Sequence, residues 1–387
     1  MSNDVRFMSE LVRIVNGALR LDVDKVRNYT AFLAQKLEAA GELAAAERLR
    51  KVLEENDHQL RPTDARFPRA LPVDSESRFP LVEHIKVSKL HEPPVQLTQA
   101  QWDVVHEFVS VAKSHGSIAD NGELSGALSF LMYGPPGTGK SRLARYIAHE
   151  LGLELYVARL DGLISSFLGS TSKNIRALFD FAAKTPCVLF LDEFDAIAKV
   201  RGDHQEMGEL KRVVNSFLQN LDTLGRQSIV LAATNHENLL DAAVWRRFTY
   251  RLALTLPTGD QRQRMWSDFL KPLEFSERDF ALLGDLSEGF TGSDIREASA
   301  RLRRKQVATG VAPGLKEAFP IVVNLATDAE GSRFASILAG KESSAMVHVL
   351  RERDERLYSL AVIADLLGVS KATVHRLSKK EGDEHGD

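Results

Sequence analysis

Gly134, Gly137 and Gly139 precede Lys140 and Ser141 in the order G-x-x-x-x-G-K-[ST], with Pro135, Pro136 and Thr138 filling the loop. These residue types at this spacing suit a polyphosphate. Glycines let backbone N–H groups curl around anionic oxygens, and a following helix adds the partial positive charge of its N-terminus. Lys140 is placed to reach the outer phosphates, and the Ser141 hydroxyl is a ligand for Mg²⁺. A glycine-rich turn with a chance lysine is the alternative, and the flanks argue against it. Ser129–Tyr133 reads as a short buried strand and Arg142–Ala148 as a helix, the strand–loop–helix order that the chemistry requires. The implied ligand is a nucleoside triphosphate.

Hydrolysis needs more than a cradle. Cys187–Leu191 is a continuous apolar run, as in a parallel strand covered on both faces, and it ends in Asp192 and Glu193. Asp192 is positioned to bind Mg²⁺, directly or through water. Glu193, one residue on, can take a proton from the attacking water. A solvated acidic turn is the competing reading. Ile229–Ala233 is a further buried strand, and the Asn235 amide just past its tip can orient that water or touch the γ-phosphate. Arg246 and Arg247 follow a short helical stretch. They read as a solvated basic face, or as arginines that stabilise phosphoryl-transfer charge in a neighbouring site.

Taken in this order, these segments resemble the AAA+ ATPases, specifically the AAA clade in the strict sense and its stand-alone bacterial type. The likeness spans roughly residues 95 to 310. It assigns Walker A to 134–141, Walker B to 188–193, sensor 1 to Asn235 and paired arginine fingers to Arg246 and Arg247. Gly289–Ile295, with Gly292 at its centre, resembles the family's lid motif, whose backbone lies near the nucleotide. The resemblance implies an α/β fold: a P-loop NTPase parallel sheet with a helical lid, ATP and Mg²⁺ as cofactors, and a homo-oligomeric ring, expected as a hexamer. It also implies a pore loop at Phe167, Leu168 and Gly169 that grips a polypeptide client. An ordinary core phenylalanine on a helix face is the alternative for Phe167. Ser170 departs from the family, where many members carry a glutamate after the glycine.

Composition sets the bounds. At 387 residues the chain has room for two to three domains, and 44% hydrophobic with 27% charged residues is ordinary for a globular protein. A formal net charge of −3 excludes a general attraction to nucleic acid or anionic membranes. Cys187 is the single cysteine, so no intrachain disulfide forms. The N-terminus lacks the basic and apolar regions of a signal peptide, and no apolar run nears the ~20 residues that span a bilayer. The expected location is the cytoplasm, with no membrane partner. None of the four His-Glu pairs, at 91–92, 106–107, 149–150 and 236–237, has a second histidine at zinc-binding spacing, so no peptidase is recognisable.

The flanks must position and feed this site. Residues 1–58 read as a small helical bundle. Val5, Met8, Leu11, Val12, Val15 and Leu19 mark one apolar face. Val26, Tyr29, Phe32, Leu33 and Leu37 mark a second, and Leu43, Ala46, Leu49, Val52 and Leu53 a third, with Gly41 as a break. Proline-rich 59–95 reads as a linker with one strand at Ile85–Val87. The ATPase domain then covers 96–257, the lid 258–312, and a C-terminal region 313–387. Within that last region, 355–380 has a helix-turn-helix arrangement. Gly368 makes the turn, Ser370 caps the second helix, and Ile363, Leu367, Val369, Val374 and Leu377 form the core. Lys371, Thr373, His375 and Arg376 are then available to a DNA groove, unless the pair is an inert packing unit.

Three functions compete. The first is an ATP-driven remodeller or unfoldase that threads polypeptide through a pore. Proteins of this build are in some cases paired with a separate subtilisin-like protease in antiviral defence, which would be the partner. The second is a DNA-associated motor or regulator that uses the C-terminal motif. The third, a nucleotide-switched scaffold, sits poorly with an intact Glu193 and Asn235.

Overall fold

Six strands form one sheet, in the order β1-β3-β4-β5-β2-β6, in a computed structural model. It describes residues 7–19, 23–55, 71–74, 77–90, 95–118, 127–160, 168–195, 207–224, 228–327 and 334–379. The strands are β1 (Val82–Ile85), β2 (Leu128–Tyr133), β3 (Glu154–Ala158), β4 (Cys187–Leu191), β5 (Ile229–Thr234) and β6 (Tyr250–Ala253). All neighbours pair in parallel except β1, which runs antiparallel to β3. The strand expected at Ile85–Val87 ends instead at Ile85, and Val87–Lys89 is a 3-10 turn. Its partner β3 begins at Glu154, which this register sets opposite Lys86, so β3 ends one position short of Val87.

The apolar runs become strands because helices cover both faces of the sheet. Along β4, Cys187, Leu189 and Leu191 enter one core cluster while Val188 and Phe190 enter the other. β5 alternates in the same way, as the two-residue period of a pleated strand requires. Helices Leu168–Lys184 and Met207–Thr223 supply Leu178, Phe179, Phe217 and Leu221 on the first face. Helices Gln99–Ile118 and Lys140–Leu151 supply Phe108, Leu143, Ile147 and Leu151 on the second. This is the parallel α/β architecture that the sequence implies.

The N-terminal helices Met8–Leu19, Val23–Ala39 and Leu43–Glu55 belong to the same compact unit as the sheet. Asn28 donates to the Lys184 carbonyl at 2.9 Å, joining the second helix to the end of helix Leu168–Lys184. Tyr29 and Leu33 are buried as their spacing suggests. The first helix reverses the expectation. Met8, Leu11, Val15 and Leu19 are exposed, Val15 at 55% and Leu19 at 79%, whereas Glu10 at 4% and Arg13 at 6% are buried. Lys36 pairs with Glu10 at 2.7 Å, and Arg13 donates to the Tyr29 hydroxyl at 3.3 Å. Gly17 lies on the same buried face and lets the second helix approach closely, since a Cβ there would lie 3.0 Å from a Val26 methyl. The third helix buries little beyond Ala46, leaving Leu43 and Val52 exposed. Val5 lies outside the described residues.

A second unit holds Pro135–Gly139 with Thr255–Asp387. Three of its helices start at reciprocal capping boxes, made by Thr258 with Gln261, Ser276 with Asp279 and Thr291 with Asp294. One apolar core runs from Met265 and Trp266 to Ile363 and Val374, without a break at residue 312, the boundary the sequence suggests. Asp285 ties it further, accepting from the Tyr358 hydroxyl at 2.7 Å and from Arg353 at 3.0 Å.

Candidate active site

β2, β4 and β5 are adjacent and parallel, so their C-terminal ends bring Gly134, Asp192 and Asn235 to one edge of the sheet. Open α/β sheets bind ligands at this edge. Backbone geometry explains the glycines. Gly134 has φ +132°, and a Cβ there would sit 2.1 Å from the Leu254 carbonyl oxygen, so no side chain fits. Gly137 has φ +77°, and its carbonyl accepts from the Ser293 amide at 3.2 Å. Residues 135–139 thus lie against the first turn of helix Gly292–Thr309, where Thr291 is the cap. Gly292 approaches the same Gly137 carbonyl, 3.5 Å from where its Cβ would be. Thr138 closes the loop by donating to the Pro135 carbonyl at 2.9 Å.

Lys140 opens helix Lys140–Leu151 with its side chain turned back, donating from Nζ to the Gly134 carbonyl at 2.7 Å. Burial pushes its ammonium down to about 8, against the opposing pull of Asp192, Glu237 and Asp195. A lysine held in this way gains strongly from a polyanion. Ser141 Oγ donates to Asp192 Oδ2 at 2.7 Å, so two hard oxygen donors from different segments meet at one point. Mg²⁺ bound to nucleotide commonly takes one or two protein oxygens and leaves the rest to phosphate and water. The Ser141–Asp192 pair fits that pattern. Among the described residues no cluster of three His, Cys, Asp or Glu groups forms a self-sufficient metal cage.

Glu193 follows in the left-handed region at φ +51°, unusual for a residue with a side chain. Its amide donates to Asp192 Oδ1 at 3.0 Å, and the next amide, Phe194, donates to the Ala233 carbonyl at 2.8 Å. The buried Phe194 ring anchors this turn, which leaves the Glu193 side chain exposed. Asn235 is half-buried just past the tip of β5, the strand next to β4. Asp195 and Thr234, passed over in the sequence, link the two tips: Thr234 Oγ1 donates to the buried Asp195 carboxylate at 3.2 Å. The hydroxyl ending an otherwise apolar β5 was the available signal.

The two arginines differ. Arg246 is exposed, and its guanidinium has no hydrogen bond or ion pair among the described residues. Arg247 is engaged: its Nε lies 3.1 Å from both Asp222 oxygens, its Nη2 3.0 Å from Oδ2, and its Nη1 donates to the Ala243 carbonyl at 2.9 Å. Phe167 lies outside the described residues. Leu168 and Gly169, expected in a pore loop, are the first two residues of helix Leu168–Lys184. Cys187 is buried, and burial pushes its thiol up to about 12, leaving it an inert hydrophobe.

In the second unit, Gly368 turns at φ +65° between helices Leu360–Leu367 and Lys371–Leu377, and Ser370 accepts from the Thr373 amide at 3.1 Å. Ile363 and Val374 are buried, and Leu367 and Leu377 are partly so. Val369, expected in the core, is exposed at the turn, because the left-handed Gly368 swings it away from both helices. Lys371, His375 and Arg376 are exposed, and Thr373 is half-buried.

Residues 130–256 match the profile of the ATPase family associated with various cellular activities (AAA). The uncharacterized AAA family ATPase y4kL of Sinorhizobium fredii is 41% identical over 276 residues, which cover 68% of this chain and 80% of that protein. Vacuolar protein sorting-associated protein 4 of Dictyostelium discoideum is 37% identical over 171 residues, 43% of this chain and 38% of that protein. The cell division cycle protein 48 homolog of Archaeoglobus fulgidus is 28% identical over 313 residues, 75% of this chain and 43% of that protein. The chain therefore spans most of the first relative and less than half of the other two. No helix among the described residues is long and apolar enough to cross a membrane.

Proposed function

Because the chain belongs to the AAA family and is an ATPase, we propose that it works as a ring, expected to be hexameric, that remodels or unfolds a polypeptide client. The observation that carries the hydrolytic part is the Ser141–Asp192 contact at 2.7 Å with Glu193 next in the chain. In this reading Gly134–Lys140 bind the phosphates, and Lys140 leaves the Gly134 carbonyl for the outer phosphate oxygens. Ser141 and Asp192 would hold Mg²⁺, which neutralises charge on the phosphates when bound. Glu193 takes a proton from the attacking water while Asn235 orients that water, and ADP and phosphate leave. Gly292, at the helix start beside Gly137, places a positive dipole end near the nucleotide. The segment that carries Arg246 and Arg247 completes a neighbouring subunit's site, and the exposure of Arg246 supports that role. Phe167, Leu168 and Gly169 would grip the client.

The test joins chemistry to client. Glu193→Gln should bind ATP, assemble and retain a co-purifying polypeptide. A variant that hydrolyses ATP at the wild-type rate removes Glu193 as the base. A separate subtilisin-like protease and a role in antiviral defence belong to this reading as its partner and setting. Co-purification from the native cell with Glu193→Gln tests both.

A second reading, a DNA-associated regulator, is favoured by one feature: the solvent-facing Lys371, His375 and Arg376 around a capped turn. Lys371→Ala with Arg376→Ala should then weaken duplex binding by the full-length chain and reduce its salt dependence by about two phosphate contacts. No difference in fluorescence anisotropy at low salt assigns the motif to packing.

A further inference from the structure

Two neighbouring arginines of like charge have opposite surroundings, and the segment that carries them is fixed from both sides. On the side-chain side, the Arg247 guanidinium forms a two-pronged pair with Asp222, at the end of helix Met207–Thr223, and also donates to the Ala243 carbonyl. On the main-chain side, the buried Ser129 hydroxyl of β2 donates to the Arg247 carbonyl at 2.8 Å and accepts from the Thr249 amide at 3.0 Å. β2 is the strand that runs into the phosphate-binding loop. Arg246, which closes the short helix Ala242–Trp245 with its amide donating to the Ala242 carbonyl at 3.2 Å, has an exposed guanidinium with no hydrogen bond or ion pair among the described residues.

We propose that Asp222 and Ser129 are positioning residues for a trans arginine: they hold Arg247 and its backbone within their own subunit so that Arg246 alone is presented to the neighbour's γ-phosphate. The inference rests on the reading that the site is shared between subunits. A planar guanidinium gripped by both carboxylate oxygens is oriented as well as paired. That suits a fixed strut better than a group that must swing across an interface. The pair is partly solvated, with side-chain exposures of 47% for Asp222 and 32% for Arg247, so it adds little to global stability. Its value lies in placement, since an error of about 1 Å in a catalytic group can cost on the order of 10²-fold in rate.

The full-length protein is tested in mixed assemblies, with ATP turnover as readout. Arg246→Ala subunits keep an intact site but lack the finger, and Glu193→Gln subunits keep the finger but cannot turn over. Mixing the two should restore activity, which tests the shared site by itself. Asp222→Ala alone should lower kcat by about 10- to 100-fold with a much smaller change in KM, because the finger's contact to the γ-phosphate strengthens as charge develops in the transition state. Mixed with Glu193→Gln it should be rescued as Arg246→Ala is. Mixed with Arg246→Ala it should not, because both lack a placed finger. If Arg246→Ala is rescued by Glu193→Gln and Asp222→Ala is not, Asp222 acts within its own site and the proposal falls. If neither is rescued, the shared-site reading falls and takes the proposal with it. Should Asp222→Ala lower the melting temperature, the isosteric Asp222→Asn carries the same comparison.

Discussion

β4 and the helix Met8–Leu19 are both rich in apolar residues, and they use them in opposite ways. Every residue of β4 is buried, and its polar neighbours, Asp192 and Glu193, emerge only where the strand leaves the sheet. In the helix the buried set is Glu10, Arg13 and Gly17, while Met8, Leu11, Val15 and Leu19 face outward. A strand in mid-sheet has neighbours on both sides and helices on both faces, so its apolar residues have nowhere else to go. A three-helix module is too small to own much core. Its first helix packs where ion pairing with Lys36 and a hydrogen bond to Tyr29 are available. Apolar periodicity therefore reports that an element exists. Which face is covered depends on how much structure surrounds it.

That contrast can be broken most severely at the tip of β4. Glu193→Gln should lower kcat by about 10²- to 10⁴-fold, the usual span of general-base catalysis, with ATP affinity retained. Single-turnover ATPase assays with a parallel binding titration check it. Next comes the strand itself. Leu189→Ala empties a fully buried site and should cost about 2–5 kcal/mol in a denaturant titration.

A smaller effect tests whether packing has tuned the phosphate loop. With burial holding the Lys140 ammonium at about 8 before nucleotide binds, binding must raise its proton affinity, because the phosphates favour the charged form. Below that pH Lys140 is charged in both states and affinity is flat. Above it, binding takes up a proton, so affinity falls by up to about tenfold per pH unit. Calorimetric titrations from pH 7 to 9.5 in buffers of different ionisation enthalpy read both the fall and the proton uptake. A flat profile means that Lys140 is not desolvated in solution.

The smallest effect sharpens the comparison from the other end. Leu11→Ala, on the outward face of the N-terminal helix, should change stability by no more than about 0.5 kcal/mol. Glu10→Ala, which leaves Lys36 without its partner, should cost more. The opposite ranking, read by thermal melting, would mean that the apolar stripe is covered in the working protein.

Much of the candidate site was legible because its parts are contiguous in sequence. A strand, a glycine loop with lysine and serine, and a helix follow one another within about 20 residues, and steric rules tie the glycines to positive φ at Gly134, Gly137 and Gly139. Asp192 and Glu193 announced themselves by ending an apolar run. Ser129 and Asp222 did not. A serine in Leu128–Tyr133 and an acid at the end of an amphipathic helix look like ordinary surface or strand chemistry until their partner, Arg247, arrives from 118 and 25 residues away.

The sequence alone therefore determined which nucleotide chemistry the chain can hold and the parallel sheet that holds it, because both follow from short-range spacing and from runs too apolar to face water. Only the tertiary structure decided that Arg246 and Arg247 stand in different environments, that Leu168 and Gly169, expected in a pore loop, begin a helix, and that the C-terminal helices share one core with the helices that start at Gly259 and Glu277. These depend on which distant carboxylate, carbonyl or apolar surface happens to lie alongside. Contacts of that kind arise from the folding of the whole chain, and no local pattern encodes them.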